Sequence, residues 1–237
     1  MQQDPKIIVA VDFSTMKPVR ELIQHLSPQY CRIKIGNILF TRYGPKLVEE
    51  IMQRGFQVFL DLKYHDIPQT VAGACKAAAE LGVWMVNVHI AGGSAMMRAA
   101  REAIDKFENK PLLIGVTVLT SLVSEDLIPT GISEPIETVV QRRAKLAKEN
   151  GLDGVVCSPQ EIEKLQAEMG SDFVFVTPGI RLSGDNKDDQ KRVMTPTAAI
   201  QAGGHYLVIG RSITRAADPL AILLQITAEI NSLKTEG

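Results

Sequence analysis

Gln57-Val58-Phe59-Leu60-Asp61-Leu62-Lys63-Tyr64-His65-Asp66-Ile67-Pro68 begins as an apolar strand and breaks into charge. On an extended backbone, side chains two apart point to the same side, so Asp61 and Lys63 are expected to face each other. At 4 Å their attraction is about 4 kcal/mol for an effective dielectric near 20. That keeps the amine protonated, and a positioned ammonium is a proton donor. An acid, a base and a second acid at one strand end mark a candidate active site.

The same unit repeats along the chain. Short apolar, β-branched runs fall at Ile7–Val11, Cys31–Ile35, Gln57–Leu62, Trp84–His89, Leu112–Val118, Gly154–Cys157, Phe173–Val176 and Tyr206–Ile209. Stretches of helical period separate them, such as Val19-Leu22-Ile23-Leu26 and Ile136-Val139-Val140. Continuous apolar runs predict strands buried on both faces, as in a parallel sheet. Ser158-Pro159-Gln160-Glu161 reads as a capping box with proline at the first helical position. Thr195-Pro196 and Asp218-Pro219 repeat the cap-then-proline order, and Gly55, Gly151 and Gly170 stand where helices should stop. Eight strand–helix units in 237 residues predict a (β/α)8 TIM barrel, one domain over 1–237. An open doubly wound sheet is the alternative, but it usually has a glycine-rich first turn. Asp12-Phe13-Ser14-Thr15-Met16-Lys17 contains no glycine.

Composition narrows the setting. A hydrophobic fraction of 45% supports a sizeable core, and a net charge of -1 gives no reason to expect nucleic acid or an anionic membrane as partner. Cys31, Cys75 and Cys157 lie far apart without metal spacing, which predicts reduced thiols in a cytoplasmic protein. The N-terminal residues do not read as a signal peptide, and no apolar run approaches a membrane span.

In a TIM barrel the active site lies where strands give way to the following loops. That rule gathers Asp12, Lys34, Asp61, Lys63, Asn87, His89, Thr117, Thr120, Ser158, Thr177, Arg181 and Arg211 at one mouth. An ammonium between carboxylates suits a reaction in which negative charge develops on carbon and is quenched by a proton. A structural ion network is the plainer reading of the same charges. Asp66 admits two readings, since Asp66-Ile67-Pro68-Gln69 also resembles a helix cap. Arg181 and Gly210-Arg211 fall in the loops after strands 7 and 8, where barrels commonly hold phosphate. Residues 182–191 read either as a lid that orders on ligand or as an ordinary solvated loop. His65 lacks a partner at metal spacing, and His89 reads as a hydrogen-bonded barrel residue.

These segments closely resemble the orotidine 5'-phosphate decarboxylase family in its bacterial form, from Val9-Ala10-Val11-Asp12-Phe13 to Val208-Ile209-Gly210-Arg211. Asp61-Leu62-Lys63-Tyr64-His65-Asp66-Ile67-Pro68, Val118-Leu119-Thr120-Ser121 and Thr177-Pro178-Gly179-Ile180-Arg181 carry the resemblance. It implies loss of CO2 from orotidine 5'-monophosphate to give UMP, with no cofactor and no metal. It also implies that Lys63 protonates the vacated carbon while Asp61 lies against the departing group. Asp12 and Lys34 would bind ribose hydroxyls, Lys34 also joining the charged array, and Thr120 would contact the pyrimidine. Arg181, Gln190 and Arg211 would hold phosphate, with Pro178 and Gly210 lining the pocket. Asp66 would enter from the other subunit of a homodimer, with Ile67 and Thr70 beside it.

Three alternatives set the contrast. A Mg2+-dependent sugar-phosphate decarboxylase on the same barrel would place an acid where Lys34 stands, and a cation there repels a divalent ion. A Schiff-base aldolase would need Lys63 deprotonated, which neighbouring carboxylates oppose. A non-catalytic nucleotide-binding barrel is the third, and fold alone never excludes it.

Overall fold

A computed structural model describes residues 4–182 and 193–233. Eight strands form a closed barrel in sequence order: β1 Ile7–Ala10, β2 Cys31–Gly36, β3 Val58–Tyr64, β4 Met85–His89, β5 Leu112–Val116, β6 Gly154–Val156, β7 Val174–Thr177 and β8 Tyr206–Ile209. Every neighbouring pair is parallel, and β1 pairs with β8 to close the ring. All eight apolar runs of the sequence become strands, with ends moved by no more than two residues. The expected TIM barrel is therefore the fold, and the doubly wound alternative is set aside.

Burial on both faces explains why these strands show no polar alternation. Ile8, Ala10, Phe59, Met85, Ile114, Val176 and Val208 pack together inside the barrel. Their neighbours in sequence, such as Ile7, Val9, Val58, Leu60 and Val86, join the larger core under the helices. Each of the larger side chains, the Val, Leu, Ile, Phe and Met, contributes about 1.5–3 kcal/mol by leaving water.

β2 departs from this pattern. Its register pairs Arg32 with Ile8 and Lys34 with Ala10, so both cations face the barrel interior. Arg32 closes the end where strands begin. Its guanidinium lies 3.9 Å from the centre of the Trp84 ring and 5.1 Å from that of Tyr206. It also donates to Asp4 Oδ1 at 2.7 Å, to Gln57 Oε1 at 2.8 Å and to the Pro5 carbonyl. Lys34 points toward the opposite end.

Helix boundaries follow the local chemistry read from the sequence. Ser158 Oγ accepts from Gln160 N–H at 3.4 Å, and Ser158 N–H donates to Glu161 Oε2 at 2.8 Å, completing the capping box. Thr195 and Asp218 cap the helices Pro196–Gln201 and Pro219–Ser232 by accepting from the N–H of Ala198 and Ala221. The three cysteines are buried and form no disulfide, and burial pushes the Cys31 and Cys75 thiols up to about 12. Such thiols are inert at neutral pH. No helix among the described residues is long and apolar enough to cross a membrane.

Candidate active site

A cavity of about 600 Å³ opens at the ends of the strands. Ala10, Phe59, Val116, Val156 and Val208 give it an apolar floor, while Asp12, Lys34, Asp61 and Lys63 line one side. Asp61 is 8% exposed and accepts from three side chains. Lys63 Nζ lies 2.7 Å from Asp61 Oδ1, Asn87 Nδ2 donates to the same oxygen at 2.7 Å, and Lys34 Nζ lies 3.1 Å from Oδ2. Lys34 Nζ also reaches Asp12 Oδ1 at 3.3 Å. The result is an alternating chain of charge, Asp12–Lys34–Asp61–Lys63. Gly36 leaves room for it, since a Cβ there would sit 3.3 Å from Asp12 Oδ1 and 3.5 Å from Lys34 Nζ.

Burial alone would raise the Asp61 carboxyl. The charges of Lys34 and Lys63, with hydrogen bonds from Lys63 and Asn87, overcome it and hold the group at about 2. Burial would likewise lower the Lys34 amine, but Asp61 and Asp12 raise it above its ordinary value. Both groups are therefore charged at neutral pH.

The route by which Asp61 and Lys63 meet differs from the extended backbone expected of the sequence. Leu60 pairs with Val86 and Tyr64 with Val88, so Asp61, Leu62 and Lys63 stand opposite the single residue Asn87. This bulge turns Lys63 to a φ of 53°, and it is the one positive-φ residue other than glycine among the described residues. Lys63 N–H donates to Asn87 Oδ1 at 2.8 Å rather than to a strand carbonyl.

Across the mouth, Pro178, Gly179, Arg181, Gly210 and Arg211 line the cavity, with Thr120 between the two sides. Gly179 has a φ of 79°, which a side chain would strain. Gly210 is not crowded by protein, because a Cβ there would lie 3.7 Å from the Ala10 Cβ. Backbone bonds between Gly179 and Met194 and between Arg181 and Met194 bring together the two ends of the 183–192 segment. Gln190 and all of the expected lid but Leu182 lie outside the described residues.

Comparison with known proteins is decisive here. Residues 5–226 match the family described as orotidine 5'-phosphate decarboxylase / HUMPS. This chain belongs to that family. An orotidine 5'-phosphate decarboxylase of Coxiella burnetii is 58% identical over 231 residues, covering 97% of this chain and 98% of the relative. One from Saccharophagus degradans is 57% identical, covering 96% and 95% respectively. The crystal structure of orotidine 5'-phosphate decarboxylase from Lactobacillus acidophilus superposes with a TM-score of 0.86 at 37% identity, covering 96% of this chain and all of that one.

Against the family resemblance, the barrel brings Asp12, Lys34, Asp61, Lys63, Thr120, Pro178, Arg181, Gly210 and Arg211 around one cavity. Asp66, Ile67 and Thr70 are exposed and outside the lining of their own chain's cavity. Asp66 is not the helix cap either: Ile67 occupies that position before Pro68–Leu81, and Asp66 only accepts from Ile67 N–H at 2.6 Å. Thr117, Ser158, Thr177 and His89, expected at the mouth, are also absent from the lining. Ser158 is held in its capping box, and Thr117 Oγ1 donates to the Val156 carbonyl at 3.0 Å. Among the charged lining residues, one stands outside the sequence expectation. Arg215, four positions after Arg211, adds a third arginine to the rim and was legible as the next helical turn. Asn87, which the strand-end rule puts at the mouth, lies outside the lining and instead bonds to Lys63 N–H and Asp61 Oδ1, a role that no local pattern announces.

Proposed function

We propose that this chain decarboxylates orotidine 5'-monophosphate to UMP, as the family's orotidine 5'-phosphate decarboxylases do by name. The single observation that carries the chemistry is the Lys63 ammonium, 2.7 Å from a carboxylate that remains ionised down to about pH 2. When the bond from ring carbon to carboxylate breaks, CO2 leaves and the electron pair stays on carbon. Lys63 delivers a proton there and regains one from solvent. Asp61 lies against the departing carboxylate, where like charge opposes the ground state and not the neutral product.

In this reading Asp12 and Lys34 take the ribose hydroxyls, Thr120 the pyrimidine, and Arg181, Gln190 and Arg211 the phosphate, with Pro178 and Gly210 beside it. Binding energy from a phosphate remote from the reacting carbon then favours the transition state. The Lys34 ammonium between Asp12 and Asp61 supports chemistry without a metal, because it neutralises the two carboxylates a divalent ion would need. We take 1–237 as one catalytic domain of a cytoplasmic homodimer with shared sites. The outward placement of Asp66 and Thr70, and of Ile67 at 66% exposure, supports a second subunit over this edge.

The test is an ultraviolet assay with orotidine 5'-monophosphate before and after EDTA. Loss of the orotidylate absorbance that persists in EDTA is expected. No turnover would remove the decarboxylase reading, and turnover abolished by EDTA would favour the Mg2+-dependent alternative.

A further inference from the structure

We infer that Asn87 is a positioning residue, whose carboxamide fixes the Lys63 backbone and the Asp61 carboxylate in one rigid unit. The inference rests on the decarboxylase reading for the roles of Lys63 and Asp61, and on geometry for the rest. Asn87 is wholly buried. Its carbonyl oxygen accepts from Lys63 N–H at 2.8 Å, and its amide nitrogen donates to Asp61 Oδ1 at 2.7 Å. Asparagine carries one acceptor and one donor group on a single planar unit, which is what these two partners require. A carboxylate in its place would lack the donor, and an aliphatic side chain would lack both.

The bulge makes this bridge necessary. With three residues of β3 opposite one of β4, the Lys63 N–H loses its place in the strand ladder. A positive φ at a lysine costs of order 1–3 kcal/mol and persists only where surroundings enforce it. The Asn87 carbonyl oxygen supplies the enforcing contact. Its amide nitrogen and Lys63 Nζ then share Asp61 Oδ1, so one oxygen is the common end of a closed circuit running through backbone and side chains. The ammonium is aimed by the main chain at its root as well as by the carboxylate at its tip.

The experiment compares wild type with Asn87→Leu and Asn87→Asp. For each, kcat, UMP affinity and unfolding midpoint are measured from pH 5 to 8. Asn87→Leu is expected to lower kcat about 100-fold, the scale on which a misplaced reacting group is felt, while UMP affinity stays within about threefold. Asn87→Asp sets a second carboxylate beside Asp61, which disfavours ionisation of both together. When protonated, that aspartic acid again offers one donor and one acceptor, so its kcat relative to wild type is expected to rise as pH falls. An unchanged kcat in folded Asn87→Leu overturns the inference. So does a parallel loss of UMP affinity and stability, which marks a merely structural residue. If Asn87→Leu does not fold, Asn87→Asp decides alone: a pH-independent ratio to wild type overturns the inference. Failure of wild type to turn over orotidylate would instead strike the decarboxylase reading.

Discussion

Arg32 and Lys34 lie two residues apart on one strand and face the same interior, yet they do opposite things. Arg32, 5% exposed, is covered by the faces of Trp84 and Tyr206, and its donors meet Asp4, Gln57 and Pro5. Lys34, 8% exposed, is held by Asp12 and Asp61 but borders an open cavity. Near-equal burial therefore says little about role. What differs is the remaining surroundings: an aromatic lid leaves no space for a ligand, while carboxylates beside a void leave charge directed at one. Guanidinium suits the first because it stacks and forks, and ammonium suits the second as a compact point charge.

Four substitutions or conditions test that division between a structural end and a reactive end. Lys63→Ala should cause the largest change, lowering kcat by at least about 10⁴-fold, the upper range for a positioned general acid. UMP binding by titration should remain measurable, and retained turnover would remove Lys63 as the proton donor. Arg211→Ala should lower kcat/KM by about 3 kcal/mol, near the top of the range for a charge-assisted contact. Unchanged steady-state kinetics would refute the phosphate assignment.

Arg32→Leu should act in the opposite sense. It removes a donor from Gln57 and from Asp4, which keeps Lys6. Unfolding free energy should fall by roughly 2–3 kcal/mol in urea titration, below the roughly 3–5 kcal/mol that breaking a fully buried ion pair costs. Half of Asp4 is open to water, which limits the loss. The kcat of the folded fraction should stay near wild type. A fall in kcat with stability preserved would erase the distinction between the two ends.

The smallest expected effect is on acid stability. The Asp61 carboxyl drops from its ordinary 3.8 to about 2, so its contribution is present above pH 3.8 and lost as pH falls through 2. The difference amounts to about 2 kcal/mol. Lys34 has the opposite sign: its raised amine contributes below the ordinary 10.5 and loses that contribution only at higher pH. Urea midpoints between pH 5 and 2 should therefore decline less steeply in Asp61→Asn than in wild type. Equal slopes would show that Asp61 does not gain its charge stabilisation from folding.

Much of this was readable in the amino-acid order because it depends on local rules. Strand periodicity, Thr195 and Asp218 before proline, and the pairing of Asp61 with Lys63 each need only a few neighbouring residues. The bulge was hidden, since Asp61-Leu62-Lys63 contains neither glycine nor proline to announce it. Asn87 was placed near the mouth, but its bridging role was hidden because its partners lie 24 and 26 positions away. Arg32 was hidden by the ring closure that brings Trp84 and Tyr206 together. The placement of Asp66 depended on where β3 ends relative to the cavity rim, which the order of residues does not set.

The guanidinium and its two aromatic rings make the barrel a dead end. Ile8, Met85, Ile114 and Val176 pack with Phe59 beneath the cavity, so among the described residues a molecule held against Phe59 and Val156 faces the strand-end mouth. A gas released beneath a nucleotide must then slip past it or wait for its departure. The cation and its two rings thus seal the pole opposite the one where charge meets a void.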